Sequence, residues 1–126
     1  MDECAGYLQK AINLLKSQTV ASGSSEGTLK VIITVSPIRY AKYGYHGSQL
    51  SKATLQLAAD RLVKANPGVV SYFPAYEIMN DELRDYRFYK EDMLHPSDQA
   101  VEYIWEKFRE TLSQCCRATT EDGERL

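Results

Sequence analysis

Cysteine and histidine are scarce in this chain of 126 residues: Cys4, Cys115 and Cys116 are the thiols, His46 and His95 the imidazoles. Neighbouring Cys115 and Cys116 rarely bridge to each other, and three thiols make no disulfide framework. Neither thiols nor imidazoles stand at the spacing of a metal-ligand set, so no metal site is expected. An excess of one charge sign is also missing. Fifteen Lys and Arg against seventeen Asp and Glu leave a formal charge of -2, which gives no pull towards nucleic acid or an anionic membrane. No basic stripe with interleaved aromatics occurs. No apolar run reaches the roughly 20 residues of a bilayer-spanning helix. The acidic start, Met1-Asp2-Glu3-Cys4, has no signal-peptide core. A soluble chain in a reducing, cytoplasmic setting is expected, with no cofactor and with neither nucleic acid nor membrane as partner.

What is present suits one globular domain with a modest core: 44% of residues are hydrophobic and 25% charged. From Asp2 to about Ser17, apolar Leu8, Ala11, Ile12 and Leu15 recur at helical spacing. The stretch Ala21 to Gly27 has the composition of a linker. Lys30 to Ser36 is a β-branched run without alternation, as in a parallel strand covered on both faces. Ser36-Pro37 ends it, and Ser36 reads as a hydrogen-bonding residue of the turn. Ile38 to Leu50 is expected as a loop holding Arg39, Tyr40, Lys42, Tyr43, Tyr45 and His46. Those side chains could line a substrate mouth or equally be solvated and snorkelling. Ser51 is a plausible N-cap for a helix to about Ala65, with Leu55, Ala58, Ala59 and Leu62 inward. Asn66-Pro67-Gly68 stops that helix, and Val69 to Phe73 is a second buried strand, completing a βαβ unit. Glu77 leaves the second strand at the same carboxyl edge and is expected to bind a loop backbone or pair with Arg39 or Arg84. Asp81 to Lys90 reads as a short helix and then an extended approach to Asp92. The last helix, from Ser97 to Leu112, is expected to bury Ala100, Val101, Ile104, Trp105, Phe108 and Leu112.

The most informative stretch is Glu91-Asp92-Met93-Leu94-His95-Pro96. Proline is favoured at the first helical position, which places His95 at or beside an N-cap. The positive end of the helix dipole favours the neutral imidazole there. Neutral imidazole is the form a general base needs, and a carboxylate three residues away can fix its tautomer. The plain alternative is that His95 only caps the helix and Asp92 is an ordinary loop residue. In open α/β sheets ligands bind beyond the carboxyl ends of the strands. Ser36, Arg39, Tyr43 and Glu77 fall at that edge, and together with Lys52 they are the candidate substrate-binding residues beside Asp92 and His95.

Three blocks together, Thr34-Val35-Ser36-Pro37-Ile38-Arg39, Ser51-Lys52-Ala53-Thr54-Leu55, and Tyr72-Phe73-Pro74-Ala75-Tyr76-Glu77 followed by Asp92-Met93-Leu94-His95-Pro96-Ser97, resemble the GSCFA domain of the SGNH (GDSL-like) hydrolase group. The resemblance runs from about Lys30 to Phe108. It implies an α/β fold, here a partial flavodoxin-like (SGNH-type) three-layer α/β/α sandwich with parallel strands. Residues 1–116 would be the C-terminal part of such a domain and 117–126 a flexible tail. It implies ester hydrolysis or acyl transfer on a small-molecule or glycan ester, with His95 as base and Asp92 as its orienting acid. The family's name motif, Gly-Ser-Cys-Phe-Ala, carries the nucleophilic serine and is absent here. Ser113-Gln114-Cys115 lies on the wrong side of His95 to replace it. Buried strands need neighbours along their edges, so an upstream half of the domain or self-association is expected to complete the sheet. The alternatives are a non-catalytic remnant, a partner-binding module, or a ligand-binding module using Arg39, Tyr43 and Lys52.

Overall fold

The structure, a computed structural model, describes residues 2–23 and 29–121, with backbone alone over 115–121. Much of the expected linker, the thiols of Cys115 and Cys116, and the end of the chain past residue 121 lie outside that description. In order the chain forms α1 (Asp2–Ala21), β1 (Val31–Thr34), a 3-10 turn (Ala41–Tyr43), α2 (Gly44–Ala65) and β2 (Val70–Phe73). A single turn, α3 (Ala75–Glu77), then runs into a π-helical turn (Ile78–Glu82). A further 3-10 turn (Tyr86–Phe88) leads to α4 (Asp98–Glu121).

β1 and β2 pair in parallel, Val31 opposite Val70 and Thr34 opposite Phe73. They are the whole sheet among the described residues. Paired residues in a parallel ladder share a face, and successive residues alternate between faces. Val31, Ile33 and Val70 therefore point one way, where they meet Ile12 of α1 and Leu62 of α2. Phe73 points the other way, onto Tyr103, Ile104 and Phe108 of α4. The chain is thus mixed helix and strand, with helices on both faces of a small parallel pair. Two strands fall short of the sheet that a flavodoxin-like sandwich implies.

The seam between α1 and α2 turns on a buried asparagine. Asn66, 3% exposed, donates from Nδ2 to Gln9 Oε1 at 2.6 Å and to the Leu62 carbonyl at 2.8 Å. Its Oδ1 accepts from Gln9 Nε2 at 2.9 Å. A buried amide is stable only with its donors and acceptors satisfied, and this reciprocal pair does so across the two helices. Gly68, at φ +75, then turns the chain into β2 in a conformation a side chain would strain.

Several expectations need correcting. β1 is not covered on both faces: Ile32 is 40% exposed, because only one outer helix lies over its side of the pair. α2 begins at Gly44 rather than Ser51, so Ser51 lies inside the helix and is no cap. The first two turns, from Gly44 to Leu50, carry no inward apolar stripe because they border a cleft and solvent rather than core. That is why they read as loop. α4 begins at Asp98, with Ser97 as its cap: Ser97 Oγ accepts the Ala100 N–H at 3.2 Å. Pro96 therefore precedes the cap, and His95 stands one residue further out. Trp105 and Val101 are about half exposed (50% and 53%), not core. Leu8 and Leu15 of α1 are exposed as well.

Candidate active site

Between Phe88 and Ser97 the chain folds back on itself. The Lys90 N–H donates to the His95 carbonyl at 2.8 Å and the Ser97 N–H to the Phe88 carbonyl at 2.7 Å. This antiparallel bridge leaves Glu91 to Leu94 as a tight loop at its tip. Met93 closes the loop with its N–H on the Lys90 carbonyl at 2.9 Å and takes φ +61. A left-handed non-glycine residue stores strain, and such residues cluster at functional sites.

Asp92 is the centre of that loop. Its Oδ1 accepts the backbone N–H of Leu94 at 2.9 Å and of His95 at 3.0 Å. Its Oδ2 meets His95 Nδ1. With Nδ1–H turned to the carboxylate, the neutral ring leaves Nε2 as its acceptor, the tautomer a general base requires. The two amide donors first, and then the His95 ring, hold the Asp92 carboxyl down from 3.8 to about 2. The pair is open to solvent, with side chains 54% (His95) and 42% (Asp92) exposed.

Arg39 binds this loop to the end of β1. Its backbone N–H donates to the Leu94 carbonyl at 3.0 Å, and its Nη1 donates to the Met93 carbonyl at 2.8 Å. The guanidinium lies 5.5 Å from the Tyr45 and Tyr89 ring centres and 5.8 Å from Tyr86. Planar guanidinium stacks well on aromatic faces, so the tyrosines fix its place. Beside it opens a cleft of about 420 Å3 between the first turns of α2 and the loop. Arg39, Tyr40, Tyr45, Ser48, Tyr76 and Asp92 are among its walls.

Lys52 lies under that cleft, not in its mouth. It is 1% exposed, and its Nζ donates to the Ser36 carbonyl at 2.5 Å. It stands 4.7 Å from the Tyr40 ring centre and 5.6 Å from that of Tyr76. Burial pushes its ammonium below the usual lysine range. Ser36 serves the turn after β1, its Oγ accepting the Ile38 N–H at 3.4 Å. Tyr43 is exposed against Tyr40 and is not among the residues lining the cleft. Glu77 pairs with neither arginine. It accepts from Tyr72 Oη at 2.8 Å and Gln56 Nε2 at 2.9 Å, and burial followed by this carboxylate raises the Tyr72 phenol. The structure thus brings Asp92, His95 and Arg39 together, with Lys52 and Ser36 one layer beneath.

Sequence reasoning missed the tyrosine cage around Arg39 and the left-handed Met93. The tyrosines were visible as a cluster, but their convergence depends on three separate turns meeting. Among the described residues no three His, Cys, Asp or Glu side chains gather as a metal site would require, and no helix is long and apolar enough to cross a membrane.

The chain is thus a mixed helix–strand protein with a parallel pair of strands and a carboxylate–imidazole pair just before its last helix. Compared with protein-family models, residues 1–108 match the GSCFA family, and the chain belongs to that family. The match takes in α1, upstream of the Lys30 where the motif resemblance begins. Comparison with curated proteins and with solved structures found no match.

Proposed function

We propose that this chain supplies the proton-transfer half of a serine ester hydrolase or acyltransferase site, with the nucleophilic serine coming from residues outside it. The observation that supports this is the Asp92–His95 pair: a carboxylate of lowered pKa on Nδ1, and an Nε2 with no hydrogen-bond partner among the described residues. In the proposed reaction the serine Oγ–H attacks the ester carbonyl carbon while His95 Nε2 takes the proton. The tetrahedral adduct collapses, the C–O bond to the leaving group breaks, and His95 returns the proton to the departing alkoxide. Water or an acceptor alcohol then releases the acyl group by the same proton path. The substrate class is a small-molecule or glycan ester. A flavodoxin-like sandwich completed by an upstream half or by self-association, and a cytoplasmic setting in which Cys4 stays a free thiol, belong to the same proposal.

The test joins the full chain to a segment bearing Gly-Ser-Cys-Phe-Ala and assays an ester panel. Turnover is expected, and His95→Ala should abolish it while costing under about 1 kcal/mol of stability, because the ring is more exposed than buried. Turnover unchanged in His95→Ala would sink the reading.

A second reading is a non-catalytic partner-binding module. It is favoured by an apolar groove of about 380 Å3 lined by Ile32, Pro37, Phe73, Ile104, Trp105 and Phe108. In that case the joined segment restores stability without any His95-dependent turnover.

A further inference from the structure

The molecule is slightly acidic, yet the cleft between the first turns of α2 and the Asp92–His95 loop has one cation, Arg39, in its wall and another, Lys52, buried beneath it. Among the described residues neither Arg39 nor Lys52 has a carboxylate within ion-pair reach. Arg39 uses one side-chain N–H on the Met93 carbonyl. A guanidinium offers five such donors in a fixed fork, which leaves the rest of the fork open beside the cleft. The tyrosine faces at 5.5–5.8 Å orient the cation without consuming its N–H groups. Lys52 adds positive potential from below, through the Tyr40 and Tyr76 rings that form the cleft wall. Ser48 and Gln49 add neutral polar groups to the wall.

One carboxylate does border the same space, that of Asp92. Its oxygens are turned inward, Oδ1 to two amides and Oδ2 to the His95 ring. It is thus largely compensated by its own loop. Among the described residues no carboxylate compensates Arg39 in the same way. A partly enclosed guanidinium with an open fork is the arrangement that recognises a planar or tetrahedral oxyanion.

We propose that this cleft is an oxyanion-recognising pocket: the substrate carries an acidic group, a carboxylate or a phosphate, that docks on Arg39 while its ester lies towards His95. The second half of that statement rests on the hydrolase reading above; the first half does not. Arg39 is then a binding residue that selects acidic esters over neutral ones, and Lys52 a positioning residue beneath the pocket wall.

The test titrates the full chain with inorganic phosphate, with succinate, and with uncharged succinamide at neutral pH and low salt. Binding is read from the Arg39 Nε–H resonance and from the shift in melting temperature. Saturable movement of the Arg39 resonance by at least one of the two anions, and none by succinamide, is expected. Whichever anion binds more tightly names the acidic group. Arg39→Gln should weaken binding at least tenfold, while Arg109→Gln on α4 should leave it within twofold. Equal losses in both variants would show only bulk charge attraction and overturn the proposal. Should Arg39→Gln not fold, the wild-type resonance decides: no saturable shift with either anion overturns it. Binding is read without turnover, so the two readings fail separately. A chain that takes up phosphate but never turns over an ester keeps the pocket and loses the hydrolase. A joined chain that turns over neutral esters and binds neither anion keeps the hydrolase and loses the pocket.

Discussion

Asp92 accepts three hydrogen bonds from groups that all lie within three residues of it. Its folded carboxyl, at about 2, stands below the ordinary 3.8, so the unfolded chain binds the proton more readily. Its contribution to stability is therefore fully present above 3.8 and is lost as the pH falls through about 2. Carboxyl-detected NMR titration is expected to give Asp92 a midpoint near 2, and Asp92→Asn should flatten that part of the acid limb. An Asp92 midpoint near 3.8 would mean that the three hydrogen bonds holding the carboxylate against His95 are not kept in solution. The Asp-x-x-His spacing was legible in the sequence because the whole contact is local. Lys52 was not. Lysine almost always stays near water, and nothing in Ser51-Lys52-Ala53 shows that two tyrosines from other turns will close over it.

At the scale of elements, periodicity served where a helix has one dry side. α2 buries Ala58, Ala59 and Leu62, the stripe read from the sequence. It failed for the first turns of α2, which have no dry side, and for α4, whose apolar stripe is real but only partly covered. The two strands came through because β-branched runs between turn residues have few other uses, and the open face of β1 was missed because a run without alternation hides which face is dry. The α1–α2 seam offers a direct check. Asn66→Ala removes the partner of Gln9 and opens the packing beside Leu62. A loss of about 1–3 kcal/mol is expected by urea denaturation. A change under about 0.5 kcal/mol would mean that water replaces the amide pair without cost.

For the whole molecule, the apolar side of α4 sets the terms. Trp105 is half exposed and lies 5.6 Å from the Phe108 ring centre. Phe108 packs edge-on against Phe73 at 5.0 Å. Trp105→Ala in the chain by itself should therefore cost only about 1–2 kcal/mol, below the 3–5 kcal/mol typical of a fully buried tryptophan. Phe108→Ala should cost more. If a completing segment covers this side, Trp105→Ala should become the more damaging change in the joined protein, and paired denaturation curves with and without the segment would show it. Equal costs in both would leave the groove uncovered. If further strands cover this side, the exposed Ile32 and Trp105 are where they would be felt.

Every bond that aims the imidazole at position 95 is made inside one short bend, apart from the strap that Arg39 throws across it. Most of what shapes the bend is therefore local to it. A linear peptide covering 88–97 should already show a depressed aspartate titration in water, so the aiming step could precede assembly of everything it is meant to serve.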